Sequence, residues 1–94
     1  MAYQSLTVSN AWPASPQFTA ASDTDVALVN PNTGDGATLF WVTTPDDTQP
    51  TITPEEAMPV PPRDSGSFQL LSGERLWIAA PGLSNGPVKA TLLS

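Results

Sequence analysis

The stretch that decides the fold class runs from Met58 to Gly82 and reads MPVPPRDSGSFQLLSGERLWIAAPG. Its second half predicts a β-hairpin, with strands over Ser67–Leu71 and Arg75–Ala80 joined by a turn at Ser72-Gly73. Its first half predicts a stiff, proline-rich lead-in, because proline fixes φ and removes a backbone donor. The side chains expected to face the core are Phe68, Leu70, Leu76, Ile78 and Ala80.

Short strands are also predicted outside this stretch, at residues 3–8, 17–21, 25–30, 37–44, 51–53 and 88–93. The segments between them carry turn residues, with one helical turn expected at Glu55–Ala57. Eleven prolines in 94 residues argue against long helices. Short strands separated by turns are typical of a β-sandwich or barrel. We therefore expect residues 1–94 to form a single all-β domain, a small β-sandwich or jelly-roll-like barrel with proline-rich loops.

The net charge of the chain limits the classes of molecule that it can bind. The formal net charge is −6, with nine acidic residues against three basic ones. Nucleic acids and anionic membranes are expected to repel such a surface, because their binding depends on Lys and Arg. No stretch approaches the roughly 20 apolar residues of a membrane span, and the first residues lack the pattern of a signal peptide. We expect synthesis in a cytoplasm and no binding to nucleic acid or membrane.

Catalytic chemistry has little support in the sequence. The chain contains no His and no Cys, which excludes Ser–His–Asp and Cys–His arrangements and the usual zinc sites. It also lacks a nucleotide-binding glycine motif. The carboxylate pairs Asp46-Asp47 and Glu55-Glu56 are interpreted as solvated loop residues rather than as a glycosidase pair. We expect a non-enzymatic protein without catalytic residues or cofactors.

The turn that follows the third predicted strand contains residues that could bind a metal ion. Asn30, Asn32, Asp35 and Gly36 loosely suggest a calcium loop. A helix–loop–helix calcium loop, however, needs a bidentate Glu where this chain has Trp41. A plain turn is the preferred interpretation, and no metal is expected.

Aromatic residues are the remaining candidates for binding. If Leu76 and Ile78 face the core, strand alternation points Arg75 and Trp77 outward. An outward Trp beside an Arg is typical of an interface anchor. Two alternatives stay open: a second buried face for Trp77, and a sugar-stacking platform drawn from Tyr3, Trp12, Trp41 and Trp77.

The pattern of Pro61-Pro62, Ser65–Leu70 and Ser72–Ala79 resembles one found in small virion proteins of tailed bacteriophages. The likeness spans Asp25–Gly82, and its elements are generic to β-strands and their turns. The resemblance implies a β-sandwich or jelly-roll domain that decorates the outer surface of a capsid.

It further implies that the partners are the major capsid protein and other copies of this chain, as a homotrimer. Residues 1–16 lie outside the likeness and are expected to form an extended arm that reaches a neighbouring subunit. The alternatives are a tail-fibre or spike-associated module and a carbohydrate-binding module. The candidate partner-contact residues are Trp12, Pro61, Pro62, Arg63, Arg75 and Trp77.

Overall fold

The chain forms two antiparallel four-stranded β-sheets. The structure is a computed structural model and describes residues 3–33, 37–82 and 87–94. Within those residues there is no α-helix, and a single 3-10 turn spans Pro54–Glu56. The strands are β1 Tyr3–Val8, β2 Phe18–Thr19, β3 Thr24–Val29, β4 Leu39–Thr44, β5 Met58–Val60, β6 Ser65–Leu70, β7 Arg75–Ala79 and β8 Val88–Leu93.

The first sheet, sheet A, has the strand order β1-β8-β3-β6, and the second, sheet B, has the order β2-β7-β4-β5. Alternate residues of each strand point between the sheets, so the inner faces together form one apolar core. Its buried residues are Leu6, Val8, Ala20, Val26, Leu28, Leu39, Val60, Leu70, Leu76, Ile78, Ala80, Ala90 and Leu92. This arrangement confirms the predicted all-β fold and is a β-sandwich.

The β-hairpin predicted over Ser67–Ala80 is wrong. Strand β6 pairs with β3 in sheet A, whereas β7 pairs with β2 and β4 in sheet B. The turn between them is stabilised by the residues before β3: Gly73 donates its N–H to the Ala20 carbonyl at 2.8 Å, and Ser72 donates its N–H to the Asp23 carboxylate at 2.8 Å. Gly73 has a φ of 87°, which glycine adopts without strain. The chain therefore crosses from one sheet to the other at this turn.

The long-range pairings of the two strands decide between a hairpin and a crossing. A hairpin with the three-residue loop 72–74 would also place Leu70 and Leu76, both fully buried, opposite each other on one face. The alternation of apolar residues is therefore compatible with both arrangements. The crossing forms because β6 pairs with β3 while β7 pairs with β2 and β4.

Three other expectations are corrected. Residues 3–8 do not extend away as an arm; they form the predicted first strand, β1, which is paired along its whole length with β8 and places Leu6 and Val8 in the core. Residues 51–53 form no strand. The proline-rich lead-in contributes strand β5, which pairs Leu39 with Val60. These three corrections do not change the predicted fold class, because each segment still has an extended or turn backbone.

Candidate partner-binding surface

The three neighbouring candidates Pro61, Pro62 and Arg63 lie together in one tight turn between β5 and β6. The N–H of Asp64 donates to the carbonyl of Pro61 at 3.1 Å, which closes the turn. Arg63 has a φ of 63°, the only positive φ of a non-glycine residue in the part of the chain described. A left-handed backbone costs an L-residue about 1–2 kcal/mol, so the surrounding contacts must hold Arg63 in place.

Those contacts come from Asn30 at the end of β3. The N–H of Arg63 donates to the Asn30 carbonyl, and the N–H of Asn30 donates to the Asp64 carbonyl, both at 2.9 Å. The Asp64 carboxylate accepts the N–H of Ser65 at 2.8 Å. The turn is therefore fixed from both sides, while the Arg63 side chain itself is exposed.

Asn30 is the only fully buried polar residue among those described, and its side chain uses its whole hydrogen-bonding capacity. Its amide group donates to the carbonyls of Ala37 at 2.7 Å and Val60 at 2.9 Å. Its carbonyl oxygen accepts from the backbone N–H and the side-chain amide of Asn32, at 3.1 and 2.7 Å. The side-chain amide of Asn32 also donates to the Lys89 carbonyl at 2.8 Å. One asparagine thus joins β3, the segment before β4, β5 and, through Asn32, β8.

This network removes the Asn30 side-chain oxygen from the candidate ligands of a calcium loop. The Asn30 oxygen is already occupied by two donors from Asn32, so it has no lone pair free for a cation. Asp35 and Gly36 lie outside the described residues. Across residues 3–33, 37–82 and 87–94, no group of three His, Cys, Asp or Glu side chains could hold a metal ion.

The expected outward position of Trp77 is wrong. Trp77 does point away from Leu76 and Ile78, but it is fully buried, and its indole N–H donates to the Thr44 hydroxyl at 2.7 Å. Strand β7 lies inside sheet B and is buried from Leu76 to Ala79 along both faces. Alternation predicted the direction of the side chain, and the alternative of a second buried face is the one that the structure has.

The indole of Trp12 is half-buried and serves the fold rather than a free surface. Its N–H donates to the Ile52 carbonyl at 2.8 Å. Gln49 donates its amide N–H groups to the carbonyls of Trp12 and Pro13, at 3.1 and 2.9 Å. These contacts tie the loop before β2 to the loop after β4. Of the four aromatic residues considered for a sugar platform, Trp77 is excluded by its burial, Trp12 and Trp41 are half-buried, and Tyr3 is exposed.

Arg75 is likewise engaged within the chain. Its guanidinium forms an ion pair with Asp47 at 2.9 Å and hydrogen-bonds the carbonyls of Gly73 and Pro45. Asp47 is largely exposed, so the pair adds little stability. Within the described residues this is the only ion pair, which leaves Arg63 as an exposed guanidinium without an acidic partner there.

The Asp46 carboxyl lacks the environment of a glycosidase general acid. Hydrogen bonds from the backbone N–H and the side chain of Thr48, with a smaller contribution from the Arg75 charge, hold the pKa of the Asp46 carboxyl below its usual value. The Glu56 carboxylate accepts from the N–H and hydroxyl of Thr53, at 3.2 and 2.9 Å. A glycosidase acid needs a raised pKa. Asp46 has the opposite shift.

Two further features of the surface were missed by sequence reasoning. A depression of about 300 Å³ is lined by Thr38, Phe40, Glu55, Pro81 and Gly82. Among residues 3–33, 37–82 and 87–94, the exposed large apolar side chains are Tyr3 at 74%, Met58 at 59% and Leu71 at 52%. The strand pattern could have indicated Tyr3, which occupies an outward position of the first predicted strand. The exposure of Leu71 could not be predicted because it depends on β6 ending at Leu70. The exposure of Met58 could not be predicted because strand β5 was not predicted.

In comparison with known proteins, no family model, no curated protein and no solved structure matches this chain. In the described residues, no helix is long and apolar enough to cross a membrane. What the structure defines is a small acidic β-sandwich with a rigid turn that presents an arginine.

Proposed function

We propose that this protein is a non-enzymatic virion component, a decoration or cement protein that binds the outer surface of a bacteriophage capsid. The observation that carries the proposal is the Pro61–Asp64 turn. It holds an exposed Arg63 in a fixed, left-handed conformation on a molecule whose net charge is −6. A pre-organised contact loses little conformational entropy on binding, which favours recognition of a surface over chemistry.

The choice of partner rests on the resemblance of residues 25–82 to small virion proteins. In this proposal the turn docks onto the major capsid protein, and several copies of the chain, as a homotrimer, bridge adjacent capsid subunits. Each bridge adds buried area at a subunit junction and so slows opening of the shell. The acidic remainder of the surface suits complementary basic patches on the capsid.

The alternatives have weaker support. A carbohydrate-binding module needs an accessible aromatic platform, whereas Trp77 is buried and the Trp12 indole N–H is bound to Ile52. A tail-fibre or spike-associated role shares the same fold and differs only in the partner. The binding experiment separates these possibilities.

The test uses expanded empty shells of the major capsid protein of the bacteriophage that, in this proposal, encodes the chain. We expect the purified protein to cosediment with the shells and to raise the temperature at which they open, measured by a dye that reports shell disruption. Arg63→Ala should weaken cosedimentation. Lys89→Ala is the matched control, because it removes one exposed positive charge from the outer face of sheet A.

Three results would overturn the proposal: no binding to the shells, bound protein that leaves the opening temperature unchanged, or equal loss of binding in both variants. A glycan array probed with the same protein tests the carbohydrate alternative. Binding there that is lost on Trp12→Ala would favour that alternative over the capsid.

A further inference from the structure

The two sheets differ in how their edges are protected. In sheet B, edge strand β2 has only two residues, and edge strand β5 has three with Pro59 in the middle. Short edge strands and proline are devices that prevent pairing with another chain. Sheet A has edge strands β1 and β6 of six residues each, YQSLTV and SGSFQL. Neither contains a charged residue or a proline.

The outer edges of β1 and β6 also lack backbone partners within the described residues. Strand β1 pairs only with β8, and β6 pairs only with β3. No loop of the described chain donates to or accepts from their outward backbone groups except the Asp64 carboxylate at the N–H of Ser65. A row of open N–H and C=O groups is a template for an added strand.

Among the described residues, two of the three exposed large apolar side chains lie at these same two edges, and the third, Met58, lies on edge strand β5 of sheet B. Tyr3 begins β1, and Leu71 directly follows β6. Met58 pairs with Trp41, whose ring stacks on Phe68 of β6 at a centroid distance of 3.7 Å. Trp41 and Phe68 are themselves only half-buried. Each edge thus combines an open backbone with apolar side chains that a partner would cover.

We propose that the β6 edge of one copy pairs with the β1 edge of a second copy, head to tail, and so continues sheet A from molecule to molecule. Strand β1 is antiparallel to β8, β8 to β3, and β3 to β6. A second copy displaced sideways without turning over therefore brings its β1 antiparallel to β6, with both inner faces on the same side. This contact uses both open edges, whereas a two-fold pairing of β1 with β1 would leave β6 open.

The side chains favour one register for this contact. Residues opposite each other must share a face, and odd-numbered residues of both strands point outward. The register that places Tyr3 opposite Leu71 also places Thr7 opposite Ser67 and Leu6 opposite Phe68. It pairs the most exposed apolar residue of one edge with that of the other. This register therefore covers more apolar surface than the registers shifted by two residues in either direction.

The mutual fit of the two edges identifies a second copy as the occupant. Strands β1 and β6 are both unpaired on their outer side, run antiparallel to each other, and each places an exposed apolar side chain at the same end of the contact. The β6 edge is flanked by Asp23, Asp25 and Asp64, so two molecules of net charge −6 repel each other across the contact. One six-residue strand pair is small beside the about 1,200 Å² of a stable interface, so the contact is weak in free solution and is best detected by trapping.

Cysteine trapping tests the register directly, because the chain contains no natural cysteine. Thr7→Cys and Ser67→Cys both change exposed outward positions and should fold normally, as circular dichroism can verify. Opposite residues in paired strands have Cα atoms about 4.5–5.5 Å apart, which suits a disulfide. The two variants are mixed, one labelled with ¹⁵N, and oxidised in a glutathione buffer. The products are then weighed by mass spectrometry.

We expect the mixture to form a disulfide-linked heterodimer about tenfold faster than a mixture of Ser67→Cys with the control Ser15→Cys, since pairing raises the local concentration. Either variant by itself should stay monomeric. A Thr7→Cys/Ser67→Cys double variant should form covalent chains or one closed ring. Within one copy the two positions lie at opposite edges of a four-stranded sheet, about 14 Å apart, too far for a disulfide.

The contact would be disproved by equal trapping in the control mixture, by no trapping at all, or by Thr7→Cys dimers formed without Ser67→Cys. The experiment needs no capsid. Its failure would leave the capsid proposal standing, and failure of shell binding would leave this contact standing.

Discussion

Asn30 shows how a single residue positions the candidate binding turn. Its side chain and backbone together make six hydrogen bonds, and none of the described buried side-chain polar atoms lacks a partner. Sequence reasoning assigned Asn30 to a turn, since Asn is common there. Its role as a buried link could not be read from the sequence, because Val60 and Lys89, to which it connects, are distant in the chain.

Asn30→Asp tests this role. The substitution replaces two N–H donors with a carboxylate facing the carbonyls of Ala37 and Val60. We expect a loss of about 3 kcal/mol or more in the free energy of unfolding at neutral pH. Chemical denaturation measures this loss, with Asn10→Asp, the same change at an exposed position, as the control.

The pH dependence of Asn30→Asp has a defined sign. Burial and the two carbonyls should raise the pKa of the new carboxyl in the folded state above its unfolded value. The folded state then binds more protons than the unfolded state above that value, so the variant should lose stability as the pH rises from about 4. A loss equal to that of Asn10→Asp, or one independent of pH, would contradict the structural role.

At the scale of elements, the side chain of Gln17 extends the protection that the two-residue strand β2 gives to the edge of β7. The pairing of Phe18 with Leu76 would place Pro16 opposite Ile78, but Pro16 has no N–H to donate. The side-chain amide of Gln17 replaces it, donating to the Ile78 carbonyl at 2.6 Å and accepting the Ile78 N–H at 2.9 Å. The Ser9 carbonyl then accepts the N–H of Ala80 at 2.8 Å, so the protection continues past the end of β7.

Gln17→Ala should leave both backbone groups of Ile78 unpaired and lower the free energy of unfolding by about 1–3 kcal/mol. Hydrogen exchange gives a second measurement, because the amide of Ile78 should lose protection while the amides of β3 keep theirs. Gln4→Ala, which changes an exposed glutamine with no side-chain hydrogen bond in the described residues, is the control. An unchanged exchange rate at Ile78 would refute the assignment.

At the scale of the whole molecule, the proposed contact between copies and the proposed contact with a capsid respond differently to salt. The acidic loops repel a second copy, and salt screens that repulsion over about 10 Å at 0.1 M. Association through β1 and β6 should therefore strengthen as salt increases, as sedimentation velocity at several concentrations can measure. An acidic surface docked on basic patches should weaken instead. Self-association that falls with added salt would contradict pairing through the uncharged edges.

The sequence by itself determined the fold class, the core residues and the absence of His and Cys chemistry. Proline content and the period-two spacing of apolar residues are local properties, and they suffice to predict short strands. The five core residues proposed in Met58–Gly82 are indeed buried or half-buried. Their spacing is compatible with a hairpin closed by residues 72–74 as well as with a crossing between sheets, so the sequence could not decide between the two.

Only the tertiary structure decided which strands pair, which faces are covered and which edges remain open. Strand β1 belongs to a sheet because β8 lies beside it, and Trp77 is buried because β7 lies between two strands with its second face covered. Arg63 takes a left-handed backbone because distant Asn30 holds it there. Each of these outcomes depends on contacts between residues far apart in the chain, which a local pattern does not contain.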